Sequence, residues 1–264
     1  MGKDYYVEMA KTMGPHKKLG QNFLLSRRVA AAEAAHCAGK RVLELGPGLG
    51  ILTRELCAVA KSVLSIEIDK NLYEFLKSTE SYKNLELVRA DFFAFDQSKL
   101  DGIEVLASNV PYHLSSRLLL WLVERKMPAI LCLQKEFVDR MLASAGTKDY
   151  SRLSVLCSLR FSAMRLMRVP AGCFYPVPRV ESSLVYLKPK DSDVTGREME
   201  IISLVMEHKN KKLRNAVEDS AASLALDKRS ARRLADSLEC AATRVSKMEP
   251  LGLLAAARKL SRML

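Results

Sequence analysis

The chain has 264 residues, 48% hydrophobic and 27% charged, with 42 basic against 30 acidic side chains and a net charge of +12. That composition describes a soluble globular protein and not a disordered one, and no apolar run approaches the roughly 18–20 residues of a spanning helix. The excess positive charge leans toward residues 160–264, which hold 20 Lys/Arg and 12 Asp/Glu, and it points to a polyanionic partner, nucleic acid first. Six cysteines, at 37, 57, 132, 157, 173 and 240, show no C-x-x-C spacing and no paired histidines. They read as reduced thiols of a cytoplasmic protein, without a metal site.

In chain order, residues 1–16 carry Gly14-Pro15 and no clear periodicity, and read as a flexible leader. Lys17-Lys18-Leu19-Gly20-Gln21-Asn22-Phe23-Leu24 follows as a basic, glycine-containing entry segment. A helix is expected over 26–37. Alternating signals come next: strand Arg41–Leu45, helix Leu52–Val59, strand Ser62–Ile66, helix Leu72–Ser78 and strand Leu85–Arg89. Strands Val105–Ser108 and Ala129–Leu133 flank a helix over Ser115–Arg125. Two late strands, Ala163–Val169 and Ser182–Leu187, surround a proline-rich loop. Such alternation predicts an α/β fold with a mostly parallel sheet. Beyond Pro189 the pattern is helical and basic: Glu198–Glu207, Lys212–Ser223, Lys228–Glu239 and Leu251–Leu260. The reading therefore divides the chain into a leader (1–16), an α/β domain (17–189) and a small C-terminal helical domain (190–264).

Leu43-Glu44-Leu45-Gly46-Pro47-Gly48-Leu49-Gly50 is a strand running into a glycine-rich turn and a helix. Glycines at 46 and 48 let backbone approach a ligand. The third glycine stands at 50 and Ile at 51, which is wrong for the G-x-G-x-x-G dinucleotide fingerprint. G-x-G-x-G is the form associated with S-adenosylmethionine. Glu67 ends the next strand, where an acid can take both ribose hydroxyls. Asp91 ends the third, where a carboxylate can accept from the adenine amine. Asp69 is better placed as a helix N-cap. Then comes Asn109-Val110-Pro111-Tyr112. The Asn109 side-chain oxygen and the Val110 carbonyl can both accept from an exocyclic NH2, while Tyr112 offers a face for base stacking. His113 reads as a turn residue and not a base, and His16, His36 and His208 have no ligating spacing.

These segments resemble the ribosomal RNA adenine dimethyltransferases, the universal small-subunit enzymes related to the macrolide-resistance methyltransferases. The carriers are Leu19-Gly20-Gln21-Asn22-Phe23-Leu24, Glu44-Leu45-Gly46-Pro47-Gly48, Ile66-Glu67-Ile68-Asp69, Asn109-Val110-Pro111-Tyr112 and Leu133-Gln134-Lys135-Glu136. Tyr150-Ser151-Arg152-Leu153-Ser154-Val155 and Phe174-Tyr175-Pro176-Val177-Pro178-Arg179-Val180-Glu181-Ser182 complete the set. Residues 145–150 look most like the archaeal and eukaryotic branch. The resemblance implies a Rossmann-like class I methyltransferase fold, with S-adenosylmethionine held by Asn22, Leu24, Gly46, Gly48, Glu67, Asp91 and Asn109. It also implies catalysis at Asn109 and Val110, with Tyr112 and Phe174 stacking on the target base. Val110, where most relatives carry Leu or Ile, and Ser151, where they more often carry Gly, depart from the pattern. The expected partner is small-subunit ribosomal RNA in a pre-ribosomal particle, contacted by Lys17, Lys18, Lys209, Lys211, Lys212, Arg214, Arg232 and Arg233, with the protein monomeric and not membrane-bound. The alternatives are a DNA adenine methyltransferase and a non-catalytic RNA-binding assembly factor.

Overall fold

The computed structural model describes residues 3–16 and 19–263. The chain divides into two compact units, Met1–Val138 with Met164–Pro189, and Asp139–Ala163 with Lys190–Leu264.

The first unit is built on strands β2 (Arg41–Leu45), β3 (Ser62–Glu67), β4 (Leu85–Arg89), β5 (Val105–Asn109), β6 (Ala129–Gln134), β7 (Phe161–Val169, entering this unit at Met164) and β9 (Ser182–Pro189). Their spatial order is β4-β3-β2-β5-β6-β9-β7. From β4 through β6 every neighbour pair is parallel, and β9 lies antiparallel to β6. The central strands are apolar throughout, as strands covered on both faces must be: Val42, Leu43, Val105, Leu106, Ile130 and Leu131 are all buried. Helices α2 (Arg27–Ala34), α3 (Ile51–Val59), α4 (Lys70–Thr79) and α5 (Ser115–Arg125) connect and cover them. The chain winds outward from β2 to β4, then returns to build β5 and β6 on the other side of β2. That reversal opens a crevice at the C-terminal ends of β2 and β5, where ligands of open α/β sheets bind.

A separate two-stranded ladder joins β1 (Phe23–Leu24) to β8 (Phe174–Tyr175), with Phe23 opposite Tyr175 and Leu24 opposite Phe174. Asp69 caps α4 as its position suggested, its Oδ1 accepting from the Asn71 and Leu72 amides at 2.8 and 3.2 Å.

The leader expected over residues 1–16 is instead largely a helix, α1 (Lys3–Met13). Its Tyr6 and Ala10, one turn apart, are buried in the main core. An isolated helix of this length is marginal in water, so tertiary contacts hold it. The Arg54 guanidinium on α3 supplies them, donating to the Tyr6 hydroxyl at 2.9 Å and lying near the faces of both Tyr5 and Tyr6. Arg54 also pairs with Glu80 at the end of α4, whose side chain is 1% exposed.

The second unit also departs from expectation. Residues 139–163, assigned from sequence to the α/β domain, cluster with the C-terminal helices. Tyr150 and, on α7 (Arg152–Arg160), Val155 and Leu159 share one core with residues of α8 (Gly196–Glu207), α9 (Leu213–Asp219), α10 (Lys228–Asp236) and α11 (Pro250–Met263). The Tyr150 hydroxyl donates to the Met248 carbonyl at 2.8 Å. Helix α8 starts at a reciprocal capping box between Thr195 and Glu198. α9 is shorter than the expected Lys212–Ser223, because Ser220 closes it and a 3-10 turn over Ala222–Leu224 follows. α10 likewise stops at Asp236, before the expected Glu239. Helices α6 (Lys135–Met141) and α7 were not anticipated.

Candidate active site

The glycine turn after β2 is tied to β3 by the Gly46 amide, which donates to the Ile66 carbonyl at 3.0 Å. Gly48 and Gly50 both take positive φ, 59° and 78°. A Cβ on Gly50 would lie 2.8 Å from Leu76 Cδ2 and 3.2 Å from Glu80 Oε1. The third glycine therefore stands where α4 crowds the start of α3, and this explains a spacing unlike the dinucleotide fingerprint.

Glu67 closes β3 and is 3% exposed. Its two oxygens accept one backbone amide each, Oε1 from Asp69 at 2.8 Å and Oε2 from Gly48 at 3.3 Å. Burial pushes its carboxyl above the usual range, against the lowering pull of those amides. Each oxygen keeps acceptor capacity for a ligand hydroxyl. Asp91 stands two residues past the end of β4 and is exposed. Its Oδ1 accepts from the Phe93 amide at 2.9 Å, which fixes the turn that follows.

Asn109 is the last residue of β5. Its Oδ1 is buried and accepts no hydrogen bond. A buried amide oxygen left in this state costs about 1–3 kcal/mol unless a donor arrives. Val110, next to it, is buried. The Tyr112 hydroxyl is 2.9 Å from Ser182 Oγ, so its ring is anchored from β9. Phe174 is buried opposite Leu24 in the β1–β8 ladder, which couples a residue expected at the cofactor to one expected at the target base.

One cavity of about 290 Å³ brings these groups together. Asn22, Leu24, Gly46, Gly48, Glu67 and Asp91 line it, and so do Asn109, Val110, Tyr112 and Phe174. The Asn22 amide donates to the Gly20 carbonyl at 3.2 Å. Gln21 bridges the entry segment, accepting from the His16 amide at 2.8 Å and reaching Asp69 at 3.5 Å. His113 packs on Gly20, whose missing Cβ would fall 2.8 Å from the imidazole Nδ1. Gln21, Phe93, Arg117 and Cys132 also line the cavity and were missed from sequence. Phe93, two residues after Asp91, and Gln21, beside Asn22 in the entry motif, carried a positional signal. Among the described residues no His, Cys, Asp and Glu cluster suits a metal ion.

The structure treats the expected RNA contacts unequally. Lys209 Nζ donates to the Tyr150 carbonyl at 2.6 Å, and Lys211 pairs with Asp219 at 2.6 Å. Arg214 lies 3.7 Å from Asp236, and Arg232 is held by Glu218 and Asp236. Lys212 and Arg233 are exposed. Lys17 and Lys18 lie outside the described residues.

Comparison with known proteins identifies the family. Residues 14–250 match the family model described as ribosomal RNA adenine dimethylase. A probable ribosomal RNA small subunit methyltransferase A of Methanopyrus kandleri is 37% identical over 243 residues, covering 88% of this chain and 87% of the relative. Its counterpart in Pyrococcus furiosus is 32% identical, with 90% and 88% covered. Among solved structures, a dimethyladenosine transferase from Plasmodium falciparum superposes with a TM-score of 0.79 at 25% identity, covering 91% of this chain and 98% of that one. The 23S rRNA methyltransferase ErmE gives 0.64 at 25% identity, covering 91% and 100%. With the glycine turn, the acid at the end of β3 and the open amide at the end of β5 in one cavity, the chain belongs to the ribosomal RNA adenine dimethylase family, a group of S-adenosylmethionine-dependent methyltransferases.

Proposed function

We propose that this protein methylates the exocyclic amines of two adjacent adenosines in small-subunit ribosomal RNA, twice each, within a pre-ribosomal particle. It acts as a cytoplasmic monomer. Among the described residues no helix is long and apolar enough to cross a membrane. The observation that carries the reading is the buried, unpartnered Asn109 Oδ1 in the cavity shared with Glu67 and Asp91. An amine N–H is the donor that oxygen lacks.

S-adenosylmethionine fits the residues present: Glu67 for the ribose hydroxyls, Asp91 for the adenine amine, and the Gly46–Gly48 backbone beside them. When bound it supplies an electrophilic methyl group. The chain's own part is to bind and orient. Adenine's exocyclic nitrogen is a poor nucleophile because its lone pair is delocalised into the ring. Asn109 Oδ1 and the Val110 carbonyl accept hydrogen bonds from its two N–H groups and favour a tetrahedral nitrogen with a directed lone pair. Tyr112 and Phe174 clamp the extruded base, each stacking contact contributing about 1–3 kcal/mol. Positioning supplies much of the rate, so no general base is assigned.

On the RNA side, Lys212 and Arg233 carry the docking reading best, since both are exposed and no ion pair holds either among the described residues. Lys209, Lys211, Arg214 and Arg232 would first have to leave intramolecular partners.

The reading is tested by transfer of tritium from labelled S-adenosylmethionine to unmethylated small-subunit particles, with naked DNA alongside. Label is expected in RNA adenines alone. Label in DNA would establish a DNA methyltransferase, and particle binding without transfer would leave an assembly factor.

The cofactor assignment makes its own prediction. Glu67→Ala is expected to weaken S-adenosylmethionine binding by about 1.5–3 kcal/mol, the worth of hydrogen bonds to a charged group. Because the ionised carboxylate is the better acceptor and its pKa is raised, wild-type affinity should be full above that pKa. It should fall as pH drops through it, and Glu67→Gln should lose that dependence. Calorimetry across pH measures all three, and unchanged binding by Glu67→Ala removes Glu67 from the ribose site.

A further inference from the structure

Arg117, in the first turn of α5, lines the same cavity as Asp91, Asn109 and Tyr112, yet it is itself exposed, so it stands at the rim. Its guanidinium carbon lies 3.9 Å from the centroid of the Phe93 ring. That ring is braced in turn: Phe93 meets Phe92 edge-on at 5.0 Å, and Phe92 meets Trp121 at 4.9 Å. Among the described residues no carboxylate pairs with Arg117. His113, one turn earlier and also exposed, adds no negative charge there. A guanidinium stacked on an aromatic face keeps its N–H donors free along the edge, in the fork that matches phosphate oxygens.

The cation therefore lacks an anion, and the cofactor is a poor source of one. The adenine and ribose of S-adenosylmethionine are uncharged, and its one carboxylate belongs to the methionine moiety, away from the adenine assigned to Asp91. A nucleotide entering between Tyr112 and Phe174 arrives with a phosphate on either side. We infer that Arg117 binds a backbone phosphate flanking the target adenosine, with Phe93 as the platform that holds the guanidinium at the cavity rim. The inference rests on the proposed function and adds a strand-gripping contact beside the reacting base. Arg117 acts as a positioning residue: it fixes how far the extruded nucleotide reaches toward Asn109.

The test compares the full-length wild type with Arg117→Ala and Arg117→Lys, binding unmethylated small-subunit particles over roughly 50–200 mM salt. Arg117→Ala should bind several-fold more weakly and flatten the log–log salt slope by roughly 0.7–0.9, the loss of one phosphate contact. Its KM for particles should rise more than kcat falls, and its S-adenosylmethionine affinity by calorimetry should match wild type. Arg117→Lys should restore the slope while recovering only part of the affinity, because it cannot fork or stack in the same way. A wild-type slope in Arg117→Ala, or an effect confined to cofactor affinity, overturns the inference while normal wild-type methylation leaves the functional reading standing. A wild type that neither binds nor methylates the particles overturns both.

Discussion

Asn109→Ala is expected to lower methyl transfer by at least roughly 10²–10³-fold, the range seen when one preorganised transition-state contact is removed. Particle binding should stay close to wild type. The reason is the state of the oxygen before any ligand arrives: Oδ1 is already buried and unpartnered. Its desolvation is therefore met in the folding of the protein, and the hydrogen bond it later makes is not exchanged for one to water. The contact should matter most as the amine nitrogen becomes tetrahedral, so the loss should appear in kcat. Single-turnover transfer on particles, beside a binding titration, separates the two effects. Turnover at the wild-type rate would refute the amine-gripping role.

Glu80→Ala is expected to destabilise the first unit by about 3–5 kcal/mol, as removal of one partner from a buried ion pair does. The Glu80 side chain is 1% exposed and that of Arg54 14%, so the guanidinium would lose its carboxylate with little water to replace it. The Tyr6 hydroxyl, which also accepts from Arg54, is neutral and cannot balance the charge. Replacing both members of the ion pair by apolar residues of similar volume should cost less than the single change. Urea unfolding of the single and double variants decides this, and a loss below about 1 kcal/mol for Glu80→Ala would show that the site rehydrates. Since Glu80 Oε1 also abuts Gly50, cofactor affinity is a second readout of the same substitution.

Much of the site was legible because it is local. The run Leu43–Gly50 holds strand, turn and helix start in consecutive residues, and Asn109-Val110-Pro111-Tyr112 likewise needs no distant partner to be noticed. The parallel sheet followed from apolar runs separated by helical spacing. What stayed hidden was set by pairings remote in sequence. Tyr6 and Ala10 show helical spacing within α1, but nothing in that short segment says that Arg54 will hold it. Lys211 and Arg214 looked like a phosphate-binding cluster, but Lys211 reaches Asp219 at the far end of α9, and Arg214 meets Asp236 only when α9 and α10 pack. The β1–β8 ladder joins residues about 150 positions apart through strands of two residues, too short for any periodicity. Helix α7 was missed because its polar residues Ser154 and Ser158 interrupt the apolar stripe. Ser154 is nonetheless buried, its hydroxyl donating to the Arg140 carbonyl at 2.5 Å.

The assembly of the second unit from two separated stretches bears on how the protein is made. Synthesis delivers Asp139–Ala163 well before Lys190–Leu264. In the nascent chain Tyr150, Val155 and Leu159 must wait for Ile201 and Val205 on α8, and for Leu253, Ala257 and Leu260 on α11, before the core they share is complete. Until that final helix is released, a half-built hydrophobic surface stands open midway along the chain, where collapsed intermediates are prone to stick. A chain cut at residue 190 would leave that surface open permanently. The C-terminal helices are thus not a detachable module, and a shortened protein meant to isolate the methylating unit would have to lose Asp139–Ala163 as well.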